Sequence, residues 1–169
     1  RPDDCSPSLI QSLCSKEGFS LSAEQCAHLA GYLSLLMQWN KVMNLVGTRT
    51  AEDTFFTLVV DSLHLGRFLR EDVKCSAAPC CWDLGSGAGL PGIPLRMIWQ
   101  EGDYWMVEAR EKRALFLSTV LAQYPCPEPM SSGAGPKRLW PGLPRGQRIL
   151  SSAGRLCRGP AFWNSSKAA

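Results

Sequence analysis

The residues whose types and spacing could do chemistry lie in one short stretch, Trp82-Asp83-Leu84-Gly85-Ser86-Gly87-Ala88-Gly89-Leu90-Pro91-Gly92. Without Cβ atoms a loop of this kind turns tightly and lets a ligand lie against its backbone, and free amides at the N-terminus of a following helix would point into the same space. Three nucleotide-binding patterns compete for it. A dinucleotide fingerprint needs glycine at relative positions 1, 3 and 6, and here the sixth is Leu90. A phosphate loop needs Gly-Lys-Ser or Gly-Lys-Thr, and no Lys or Thr follows these glycines. What remains is acid-x-Gly-x-Gly-x-Gly, with a second acid, Glu108, about twenty residues further on. A carboxylate there can accept hydrogen bonds from both hydroxyls of a ribose. S-adenosylmethionine fits this pattern because it offers a ribose but no pyrophosphate. The expected cofactor contacts are Asp83, Gly85, Ser86, Gly87, Gly89, Leu90 and Glu108. Asp83 either supplies negative charge near the cationic methionine end or braces the loop.

The elements that must position this loop follow from periodicity and caps. Ser6 and Pro7 start a short helix carrying Leu9, Ile10, Leu13 and Cys14 and ending before Gly18. Ser22 and Gln25 form a capping-box pattern with Leu21 and Cys26 as a hydrophobic staple. The helix they open carries Leu29, Leu33, Leu36 and Met43 and is expected to run to about Leu45. A third helix, from Ala51 to about Leu69, should bury Phe55, Val59 and Leu63, then Phe68 and Leu69. After Pro79 the texture changes. Cys80 to Leu84 reads as a buried parallel strand, Leu90 to Trp99 as a helix, Tyr104 to Glu108 as a second strand, and Glu111 to about Gln123 as a helix. Helices followed by β-α-β-α imply an α/β fold with a parallel sheet, right-handed crossovers and a helical cap in front.

The domain reading is therefore an N-terminal helical extension over residues 1–75, the first half of a Rossmann-like domain over 76–124, and an irregular tail over 125–169. In that tail thirteen residues are Gly or Pro and no period persists, so mostly coil is expected and the sheet reads as incomplete after residue 124. Out-of-frame translation of a GC-rich gene is one account of the tail, and a disordered segment is another. The chain of 169 residues, 45% hydrophobic and 20% charged, has globular composition. Its net charge of +3 is unevenly placed: residues 1–124 carry eleven Lys and Arg against fourteen Asp and Glu, and the tail carries seven against one. Eight cysteines without a C-x-x-C pair, a signal peptide or a long apolar run suggest a cytoplasmic chain with no membrane span and no metal site. Cys26, Cys80 and Cys81 read as packing residues.

Beyond the loop, the runs Trp39-Asn40-Lys41-Val42-Met43-Asn44-Leu45, Asp61-Ser62-Leu63 and Asp83 to Leu95, continued by Lys112-Arg113 and Phe116-Leu117, resemble the bacterial RsmG (GidB) family. The resemblance covers roughly residues 8–124 and is most specific in Gly89 to Leu95. It implies a class I S-adenosylmethionine-dependent methyltransferase fold with an N-terminal helical extension, acting on N7 of a guanine in 16S ribosomal RNA of the small subunit, as a monomer. On that resemblance the glycine loop lies against the cofactor and Glu108 meets its ribose, with no residue acting as a chemical catalyst. Asn40, Asn44, Arg49 and Asp61 are the RNA-facing candidates, although the two asparagines could instead brace a helix end and the two charges could be solvated. His64 reads as an exposed helix residue, and Leu58 stands where family members often have histidine. Alternatives left open are a small-molecule or protein acceptor, and a truncated inactive product.

Overall fold

The computed structural model describes residues 5–73, 79–125, 148–151 and 156–158. Helix α1 (Pro7–Lys16) starts as its sequence dictates: Pro7 occupies the first turn, and the Ser6 hydroxyl accepts a hydrogen bond from the Leu9 amide at 3.2 Å. Helix α2 (Ala23–Met43) opens on a complete capping box, in which the Gln25 amide donates to the Ser22 hydroxyl and the Ser22 amide to Gln25 Oε1 at 2.7 Å. Leu21 and Cys26 are both buried beside it. The helix stops short of Leu45 because Asn44 adopts a left-handed conformation, φ 48°, which asparagine tolerates at a helix end.

The third expected helix is present with a break in its winding. Helix α3 (Ala51–Thr54) passes through a π-helical turn, Phe55–Val59, into α4 (Val60–Glu71), and the Val60 amide bonds the Phe55 carbonyl five residues back. Phe55, Val59 and Leu63 are buried as their spacing requires. Phe68 is not: it is 52% exposed, since the buried face passes through Gly66 instead. A Cβ on Gly66 would lie 3.0 Å from the Leu95 carbonyl, so a glycine here lets α4 approach the helix that follows the glycine loop.

That helix is α5 (Gly92–Ile98), shorter than the expected Leu90 to Trp99 because Trp99 is already extended. It joins strands β1 (Cys80–Leu84) and β2 (Asp103–Glu108), which pair in parallel with Trp82 opposite Trp105 and Leu84 opposite Val107. Helix α6 (Glu111–Gln123) follows with the expected bounds. Tyr104 and Met106 enter the main core, whereas Trp105 and Val107 lie on the other sheet face, where Trp82 stacks on Trp105 with centroids 6.2 Å apart. The α/β architecture with a helical extension is thus present.

The tail departs from the coil expected of it. Arg148–Ser151 forms β3, antiparallel to β2 with Glu108 opposite Arg148, and Leu156–Arg158 forms β4 against β3. Among the described residues the sheet order is β1-β2-β3-β4, four strands where two were expected, with β1 at an edge. Gly and Pro density hid these runs because each is too short to show a period, yet the free edge of β2 offers a ladder to pair with. Positions 126–147, 152–155 and 159–169 of the tail, and the helix-to-strand boundary at 74–78, lie outside the described residues.

Leu29, Leu33, Leu36, Phe55, Leu63, Phe116, Leu117 and Val120 form the centre of the main core at full burial. Each such side chain contributes about 1.5 to 3 kcal/mol of transfer free energy. Cys26 is part of it and Cys81 packs against it, but Cys80 is exposed at the start of the edge strand, which corrects its reading as a packing residue. Burial and the nearby Cys26 push the Cys14 thiol up to about 12. No helix among the described residues is long and apolar enough to cross a membrane, and no group of their side chains could hold a metal ion.

Candidate cofactor site

The glycine loop is stitched to the end of β2. The Gly85 and Ser86 amides donate to the Val107 carbonyl at 2.8 and 3.2 Å, Gly89 donates to the Ser86 carbonyl at 2.7 Å, and the buried Ser86 hydroxyl donates to the Asp83 carbonyl at 2.9 Å. From the helical extension, buried Tyr32 donates its hydroxyl to the Ala88 carbonyl at 2.9 Å. The three glycines have different reasons to be glycine. Gly85 and Gly87 combine positive φ, 82° and 53°, with nothing or little where a Cβ would stand. Gly85 is exposed, as a cradle requires, whereas Gly87 is buried beside the Arg113 guanidinium. Gly89 also has positive φ, 84°, and a Cβ there would collide with Ile93 and stand 3.1 Å from Leu117, so this glycine serves packing as well as the turn. Leu90 is half-buried and packs on the core.

Glu108 is 5% exposed at the end of β2. Its Oε2 accepts the Gly87 amide at 2.9 Å and its Oε1 the Arg110 amide at 2.8 Å. A carboxylate has about four lone-pair sites, so two remain for hydroxyl donors. Asp83 is placed differently. Its Oδ2 is buried without a hydrogen-bond partner and would sit 3.0 Å from a Cβ on Gly92, against the start of α5. Burial, with the Glu108 charge adding to it, pushes the Asp83 carboxyl up to about 6, against the opposing pull of the Ser86 and Tyr104 hydroxyls. The carboxyl thus faces the start of α5.

The amides expected to be free at the following helix N-terminus are in part taken. Ile93 donates to the Gly89 carbonyl and Leu95 to the Pro91 carbonyl, and Pro94 has no amide hydrogen. The loop's own amides at Gly85, Ser86, Gly87 and Gly89 are also used internally.

Asp83, the loop and Glu108 come together in space. The four RNA-facing candidates do not join them through hydrogen bonds. Asn40 accepts the Val46 amide and donates to the Thr48 carbonyl, both at 2.9 Å, and so braces the α2–α3 connection. Asn44 terminates α2. Arg49 and Asp61 are exposed, the latter in the first turn of α4. His64 is exposed as expected, bonded to Arg67 at 2.9 Å and edge-on to Phe19. Sequence reasoning missed two residues. Tyr32 had a detectable signal, a hydroxyl on an apolar helix face that must find a partner when buried. Arg113 had only its place in the family-like run: a Cβ on Gly87 would lie 3.5 Å from its Nη1.

With this geometry in hand, comparison with known proteins is decisive, because a model of the rRNA small subunit methyltransferase G family matches residues 25–128. The chain belongs to that family. It is 58% identical over 116 residues to a ribosomal RNA small subunit methyltransferase G of Lawsonia intracellularis, an alignment covering 69% of this chain and 53% of the relative. A relative of the same name from Nitratidesulfovibrio vulgaris is 50% identical over 144 residues, covering 85% and 66%, and one from Oleidesulfovibrio alaskensis is 53% identical over 116 residues, covering 69% and 50%. The chain thus spans between half and two thirds of the length of these methyltransferase G relatives. No solved structure matches it. The matched stretch of the family model holds the whole glycine loop, Glu108, Tyr32 and Arg113.

Proposed function

We propose that this chain carries the cofactor site of an S-adenosylmethionine-dependent methyltransferase that modifies guanine N7 in 16S ribosomal RNA, working as a cytoplasmic monomer. The observation that carries this reading is the open surface over Gly85 beside a buried carboxylate, Glu108, that has accepting capacity left. Membership of a family whose relatives bear the name ribosomal RNA small subunit methyltransferase G supports the acceptor. S-adenosylmethionine bound there supplies an electrophilic methyl group, and guanine N7 offers a lone pair with no proton to remove. The chain's residues then need to orient and to exclude water rather than to move protons. Gly85 admits the ligand to the backbone, Gly87 holds Glu108 in place, Glu108 accepts the ribose hydroxyls, and Tyr32 holds the loop from behind. Asn40, Asn44, Arg49 and Asp61 are proposed to shape the RNA-facing side.

Calorimetric titration of the full chain with S-adenosylhomocysteine tests this. Gly85→Leu fills open space but strains a backbone at φ 82°, so some stability should be lost; with the fold shown to persist by circular dichroism, affinity should fall at least tenfold, roughly 1.4 kcal/mol. Unchanged affinity in that variant would place the ligand elsewhere.

A further inference from the structure

Arg113 stands in the first turn of α6, half-buried, with its guanidinium reaching the middle glycine of the loop. Among the described residues it has no hydrogen-bond or ion-pair partner. A guanidinium keeps its charge and carries five donors, and leaving those donors partly desolvated and unpaired is unfavourable. Such a group at the wall of an open cradle is poised to receive an anion. The amides of Gly85, Ser86, Gly87 and Gly89, and those of Ile93 and Leu95 in α5, already donate within the protein and do not compete with it.

We propose that Arg113 holds the α-carboxylate of the methionine moiety of S-adenosylmethionine, an inference that rests on the cofactor reading above. Glu108, an acceptor that repels a carboxylate, takes the ribose hydroxyls, so the two side chains flanking Gly87 read opposite chemical features of one ligand. Together they set the direction in which the cofactor lies across the loop. An RNA phosphate is the other anion within the reaction, but Arg113 is drawn in against the loop backbone, where the cofactor rather than the polymer would lie.

The test compares S-adenosylmethionine with its decarboxylated form, two ligands that differ in the carboxylate alone, by calorimetric titration of the full chain. The unsubstituted chain should bind the carboxylated ligand at least tenfold more tightly. Arg113→Ala should lower affinity for S-adenosylmethionine and leave the decarboxylated ligand unaffected, bringing the ratio close to one, and Arg113→Lys should restore part of it. Glu108→Gln should weaken both ligands alike. Equal loss of both ligands in Arg113→Ala, or a retained preference, overturns the assignment while the cofactor site stands. Retained preference together with weakened ribosomal RNA binding in a filter assay would assign Arg113 to a phosphate. Failure of the unsubstituted chain to bind either ligand would remove the cofactor reading itself, and this inference with it.

Discussion

Asp83 shows at the scale of one residue how an acid in a motif can be structural in place and still leave a measurable trace. Its carboxyl is pushed from 3.8 up to about 6, chiefly by burial against α5 and then by the Glu108 charge. Between those two values the folded chain holds a proton that the unfolded chain has released. Stability therefore falls as pH rises through this window, with the penalty absent below 3.8 and complete above about 6. Asp83→Asn carries no charge and should escape the penalty, gaining on the parent by on the order of 2 kcal/mol between pH 4 and 7, allowing for partial exposure. Urea unfolding midpoints measured across that range check this, and parallel pH curves for the two proteins would contradict it. The acid and its spacing were legible in the sequence. Which way the carboxylate turns was not, since that depends on the space left under Gly92 by Tyr104 and Met106.

At the scale of elements, the α5–β2 connection depends on a charge inside the core. Arg96 is fully buried and spreads its guanidinium over three carbonyls, Glu101 at 2.9 Å, Gln100 at 3.1 Å and Gly102 at 3.3 Å, beside the rings of Trp99 and Tyr104. This clamp determines where β2 begins and so where Glu108 stands at its end. Lysine cannot reproduce the planar fork, and carbonyls left without donors are costly. Arg96→Lys should therefore lose about 2 to 4 kcal/mol of stability by chemical denaturation, and a loss below about 0.5 kcal/mol would show that the clamp is dispensable. The helices with caps written into their sequence, α1 and α2, and the α6 bounds were readable in advance. Nothing in the sequence marks Arg96, because only the bend of the following turn brings three carbonyls to it.

For the whole molecule, the order β1-β2-β3-β4 puts the strand that leads into the glycine loop at an edge of the described sheet and the strand bearing Glu108 inside it. β2 has ladder partners on both sides, in β1 and β3, whereas β1 has one. Amide hydrogen exchange on the full chain should find β1 exchanging faster than β2, by roughly tenfold or more. Equal protection would mean that the outer edge of β1 is covered. The relatives extend well beyond the aligned stretch, with 53% of the Lawsonia intracellularis protein and 66% of the Nitratidesulfovibrio vulgaris protein matched.

The sequence by itself determined the local features: helix starts at Ser6 and Ser22, the β-α-β-α alternation, and a loop that excludes two of three nucleotide patterns through Leu90 and the lack of lysine. These are legible because caps, periods and motif spacing act between residues a few positions apart. Tertiary structure decided the rest. It gave Asn40 to a loop, turned Asp83 toward α5, exposed Phe68 and Cys80, paired β3 onto β2, and brought Tyr32 and Arg113 to the glycines. Each of those outcomes depends on which surfaces remain free once distant segments have packed, and no spacing along the chain encodes that.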